Sequence, residues 1–107
     1  MIKQLCLHVP VADLARSRAF FQALGFSENQ EFTADTAAMV VLNDTISVML
    51  STHAKFREFT PKAVCDTSQA VEALFCLSCE SRETVDTLVA KALAAGGSTY
   101  DKPEDFG

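Results

Sequence analysis

Leu5, Leu7, Val9 and Val11 alternate with Cys6, His8, Pro10 and Ala12, the two-residue period of a strand with two unlike faces. The period then changes. Leu14, Ala15, Phe20, Phe21 and Leu24 can share one side of a helix, with Arg16, Arg18 and Gln22 left in water. Asp13 stands where a carboxylate can accept from the free N–H groups of the first turn. Gly25 stands where a left-handed residue closes the last turn. The pattern thus predicts a strand over Ile2–Val9 and a helix over Asp13–Leu24. Phe26–Phe32 alternates weakly, as an exposed strand does, and Thr36–Leu42 forms a third strand. Asn43-Asp44 punctuates a tight turn. Thr45–Leu50 is a fourth strand, with Ile46, Val48 and Leu50 on one face and Thr45, Ser47 and Met49 on the other. The first half reads β-α-β-β-β.

The second half repeats the pattern without repeating the residues. His53–Phe59 suits a short helix stopped by Pro61, with Phe56 and Phe59 as its apolar side, and Lys62–Gln69 is polar and loop-like. Val71–Glu80 is expected as a strand. Ser81 is a good N-cap for a helix over Arg82–Ala95, with Val85, Leu88, Val89, Ala92 and Leu93 facing inward. Gly96-Gly97 ends it, Ser98–Tyr100 begins another strand, and Lys102-Pro103 breaks the pattern. Strand, cap, helix and glycine at Ile2–Gly25 thus recur at Val71–Gly97.

The run Val11, Asp13, Leu14, Ser17, Phe20, Phe21, Leu24, Gly25, Phe26 has the order and spacing V-x-D-L-x-x-S-x-x-F-F-x-x-L-G-F. It resembles the opening of a glyoxalase/bleomycin-resistance/dioxygenase protein, the vicinal oxygen chelate superfamily. The resemblance implies an α+β fold of paired β-α-β-β-β modules, their curved mixed sheets wrapped around a cavity, with the second module incomplete in this chain. The expected organisation is one domain over 1–107, with module one at 1–60, a linker at 61–70 and a partial module two at 71–107. By analogy with module one, roughly twenty to thirty further residues would complete the second module. A sheet lacking them would expose an edge that a partner chain can cover, and the resemblance also implies a homodimer.

Composition narrows the function classes. The chain has 107 residues, nearly half of them apolar, and a formal net charge of −5. This argues for a globular domain and against a nucleic-acid binder, which would want a basic face. No apolar run approaches a membrane span, and Met1–Gln4 lead straight into a strand, so no membrane association and a cytoplasmic location are expected. Cys76 and Cys79 form a C-x-x-C. Redox pairs of this type sit at helix starts, whereas these two fall within the expected strand on opposite faces. They are read as two small buried or half-buried thiols in a reducing compartment.

Enzymes of the family hold one divalent metal with His, Gln or Glu from the first and last strands of each module. Such side chains suit Ni, Zn, Mn or Fe and leave positions open for two vicinal substrate oxygens. The resemblance carries the first position onto Cys6, the second onto Met49 and the third onto Leu74. A lone Cys does not make a zinc site, Met is not an expected ligand for these ions, and Leu cannot ligate. The fourth position would lie in the missing final strand. A register shift of two residues keeps the same faces and replaces Cys6 by His8 and Leu74 by Glu72.

Three functional readings follow. The first is a metal-independent small-molecule binder of the bleomycin-resistance kind, whose cavity is lined by Cys6, His8, Met49 and Leu74, with no cofactor. The second is a lyase or dioxygenase using a divalent metal at a shifted site of His8, Glu72 and a further residue. The third is a structural or regulatory module without a cavity. His53 follows the fourth strand as a solvated helix-start histidine, and Lys55, Arg57 and Lys62 form a small basic cluster that could receive an anionic group.

Overall fold

The structure, a computed structural model, describes residues 1–98. Seven elements follow in order: β1 (Leu5–Val11), α1 (Leu14–Ala23), β2 (Ser27–Ala34), β3 (Ala37–Val41), β4 (Ile46–Thr52), α2 (His53–Phe56) and α3 (Arg82–Ala94). The four strands make one mixed sheet in the order β1-β4-β3-β2. β1 runs parallel to β4, with Leu5 opposite Ile46 and His8 opposite Met49. The other neighbours are antiparallel, and the β2–β3 register slips between Asn29 and Ala34. This is the expected first module.

The caps act as the residue types require. Asp13 Oδ1 accepts from the Arg16 N–H at 3.1 Å, which satisfies one donor of the first turn of α1. Gly25 follows with φ +97°, the left-handed conformation that stops the helix. Ser81 caps α3 in the same way by accepting from the Thr84 N–H at 3.1 Å. The turn before β4 is tied by Asn43, whose Oδ1 accepts from the Thr45 and Ile46 N–H groups.

The core is small and one-sided. Leu14 of α1 packs on Ala38, Val40, Val48 and Leu50, with Leu7, Val9, Val11, Phe21 and Phe26 around them. The two-residue period thus sends Leu7, Val48 and Leu50 beneath α1 and leaves Cys6, His8 and Met49 on the opposite face. Ala15, expected on the packed side of α1, is exposed. Arg18 clamps the middle of α1 to β2 through a two-pronged bond to Glu28, at 2.7 and 2.8 Å.

The second half departs from expectation in one respect. Residues 71–80 form no strand: no ladder partner faces them among the described residues. Val71, Leu74, Phe75 and Leu77 are all exposed. A strand exists only through its hydrogen-bonded neighbours, and periodicity alone does not supply one. For the same reason Val85, Val89 and Leu93 of α3 are not buried: no sheet among the described residues lies beneath them. α3 instead touches α1 where Phe20 approaches Gly97. Cys76 is exposed and Cys79 half-buried, and both are free. Apart from Ser98, the expected strand at Ser98–Tyr100 lies outside the described residues, as does the break at Lys102-Pro103.

Candidate functional site

The face of the sheet opposite α1 carries the chemistry. Cys6 and His8 come from β1, two residues apart, and so point the same way. Met49 lies opposite His8 on β4, and Met39 opposite Met49 on β3. Above this floor, α2 and the turn after it bring in Lys55 and Phe59, while β2 supplies Glu31 and Phe32 from the other side. Together these walls enclose an open cleft of about 550 Å³ that holds Cys6, His8 and Met49.

His8 is the best-defined group. Its Nε2 is 2.9 Å from Oγ of Ser51, a residue with no exposure at all. Phe56 and Phe59 present their rings at 5.1 and 4.8 Å, steeply inclined to the imidazole at 90° and 69°. Such edge-on contacts suit the charge distribution of aromatic rings. Burial pushes the His8 pKa below its ordinary 6.5, since a charged imidazole loses more hydration than a neutral one. Burial thus favours the neutral form of the ring. Among the described residues, the charged side chains on the cleft are Glu31 and Lys55, and Lys55 is held 3.3 Å from Glu58 with its ammonium 5.8 Å from the centre of the Phe59 ring.

The residues expected to line one cavity are thus partly brought together. Cys6, His8 and Met49 share the cleft. Leu74 does not reach it, and Glu72 lines a separate groove on the far side of α2. The basic cluster also divides: Lys55 faces the cleft, while Arg57 and Lys62 face that groove. His53 lies half-buried on the groove side. Ser51, Phe32 and Phe59 were not anticipated as site residues. For Ser51 the signal was present: in a parallel pair, a residue at j+2 lies diagonally beside the residue opposite j, on the same face.

Among the described residues, the side chains at the cleft do not make a divalent-metal site. Among the described residues no group of three or more His, Cys, Asp or Glu side chains could hold an ion. The imidazole of His8 already binds Ser51, and the side chain across from it is a thioether, a poor donor for the harder divalent ions.

Comparison with known proteins agrees with this architecture. Residues 5–43 match the family described as bleomycin resistance protein-like N-terminal. No curated protein matches the sequence. Among solved structures, hypothetical protein SA1046 from S. aureus is similar, with a TM-score of 0.78 and 26% identity, covering 98% of this chain and 78% of that one. A second is a glyoxalase/bleomycin resistance protein/dioxygenase family enzyme from Burkholderia phytofirmans PsJN. It has a TM-score of 0.56 and 20% identity, over 89% of this chain and 72% of that one. At that identity the likeness is one of fold.

Proposed function

We propose that the chain is a glyoxalase/bleomycin-resistance/dioxygenase superfamily protein, a reading supported by its fold and its segment 5–43, and that it binds a small molecule without a metal. The observation that carries this reading is the cleft itself. Its floor holds a thiol, an imidazole and a thioether, its walls carry the exposed rings of Phe32 and Phe59, and no metal-donor set is found among the described residues. Such a lining removes apolar surface from water and offers few directional contacts, as small-molecule sites do. The ligand is an apolar, ring-bearing molecule, oriented by His8. No reaction is assigned to the site.

Two experiments test this. Titration of the metal-stripped protein with Ni, Zn, Mn and Fe should show no stoichiometric binding; about one tightly held ion per chain, lost in His8→Ala, would overturn the reading. A thermal-shift screen of ring-bearing small molecules should yield hits that raise the melting temperature. Those hits should bind at least about tenfold more weakly to Phe59→Ala, a loss of about 1.4 kcal/mol.

The same reading places the protein in the cytoplasm as a homodimer, with 1–60 as module one, 61–70 as linker and 71–107 as part of a second module. Among the described residues no helix is long and apolar enough to cross a membrane. Support for a dimer comes from the sheet edges at β1 and β2 and from the exposed apolar side chains of 71–77 and α3. Light scattering on the eluting protein should give twice the chain mass.

A further inference from the structure

On the other side of α2 from the His8 cleft lies a larger groove, about 990 Å³, between the β1–α1 junction and the stretch that runs from Thr60 to Phe75. Val11, Phe56 and Phe75 make its apolar part. Its charged side chains fall into three groups. Asp13 and Asp66 are engaged locally: Asp13 caps α1, and Asp66 accepts from the Ser68 N–H at 3.0 Å and from its hydroxyl at 2.7 Å. Arg16, Arg57 and Lys62 make no ion pair among the described residues. Arg16 reaches toward the end of α3, its guanidinium beside Gly96. Arg57 and Lys62 flank Phe56 and Thr60 with their charges uncommitted. Among the described residues, Glu72 is the carboxylate on the groove without a hydrogen bond of its own.

We propose that this groove is a second binding site, for a small amphipathic anion: an apolar body against Val11, Phe56 and Phe75, with a carboxylate received by Arg57 and Lys62. Two cations without carboxylate partners beside an apolar wall are complementary to such a molecule. A carboxylate there gains charge-assisted hydrogen bonds, and its apolar body leaves water. In a chain of net charge −5 the pair is also a local exception to the overall sign. The proposal does not rest on the ligand of the His8 cleft. That cleft is separated from the groove by the ring contact of His8 with Phe56, the latter lining only the groove.

The test compares three probes of one chain length, decanoate, decanol and decyltrimethylammonium, each below its micelle concentration, on the full chain. Amide chemical shifts locate the site and calorimetry gives the affinity. Decanoate should bind and shift amides of Val11, Phe56, Arg57 and Lys62. The exposed positions make Arg57→Gln with Lys62→Gln tolerable to the fold, and that double variant should bind decanoate at least about tenfold more weakly, a loss of about 1.4 kcal/mol. Glu72→Gln should bind it more tightly, and Phe59→Ala should bind it unchanged. Equal binding of the alcohol or the cation would overturn the proposal. So would unchanged binding in the double variant, no binding at all, or shifts centred on Cys6 and His8.

Discussion

Ser51 holds His8 from a position of complete burial, its Oγ 2.9 Å from Nε2 across the parallel β1–β4 pair. The hydroxyl fixes the ring against the edges of Phe56 and Phe59. Ser51→Ala keeps the Cβ and removes that partner. It should cost about 1 kcal/mol in denaturant titration and broaden the His8 ring resonances. The pH dependence follows from the depressed pKa of His8. Above about pH 6.5, its ordinary value, the neutral ring makes its full contribution. As pH falls from there through the folded value, the unfolded chain takes up the proton first and stability declines. His8→Gln should lose this part of the pH profile; an identical profile in the variant would count against a half-buried ring that favours its neutral form.

Glu28 and Arg18 give a second pH-dependent contribution with its own window. Hydrogen bonding to Arg18 holds the Glu28 carboxyl below its ordinary 4.5, so its contribution is complete above that value and is lost as pH falls through the folded one. Glu28→Gln should be less stable than wild type at pH 7, and the difference should shrink in acid. Equilibrium denaturation at pH 7 and pH 3 measures both.

Leu50 is 2% exposed and sits in the middle of β4 beneath α1. Leu50→Ala should cost about 2–5 kcal/mol. In so small a core that is a large part of the total stability, so circular dichroism should show an early melt or an unfolded chain.

Two glycines should respond for different reasons. A Cβ on Gly97 would stand 2.8 Å from the Ala92 carbonyl oxygen and 3.2 Å from the Phe20 ring. Gly97→Ala should therefore loosen the α1–α3 contact, at a cost of about 1–3 kcal/mol. At Gly25 there is open space, but φ is +97°, so Gly25→Ala should cost about 1 kcal/mol through backbone strain alone. Melting temperatures of the two variants measure both costs: Phe20→Ala should relieve only the 3.2 Å ring contact of Gly97→Ala, leaving the closer approach to the Ala92 carbonyl oxygen, and should not change the cost of Gly25→Ala.

Legibility in the sequence followed the range of the forces involved. Asp13, Gly25, Asn43 and Ser81 act on backbone groups within a few residues, and each forms the cap or turn its type suggested. The β1–β4 face was readable because Cys6 and His8 are two apart and Met49 falls on the matching side of β4. Leu74 could not be placed in this way. Its position depended on a ladder for residues 71–80, and a ladder is a property of two segments. Phe59 shows the complementary limit. Its apolar character suited a core, but the chain turns after Phe56 and leaves it 65% exposed beside His8.

The parallel pairing of β1 with β4 also bears on how the chain acquires its structure. Of the four strands of this sheet β1 is the first to leave the ribosome, yet among the described residues its only ladder partner is β4, with Leu5 opposite Ile46. β2, β3 and β4 can pair through short turns as they emerge, whereas β1 must wait for the whole loop between them to close. Among these four strands, the one that carries Cys6 and His8 is thus made first and secured last. Pulsed hydrogen exchange during refolding should find the β1 amides protected after those of β3.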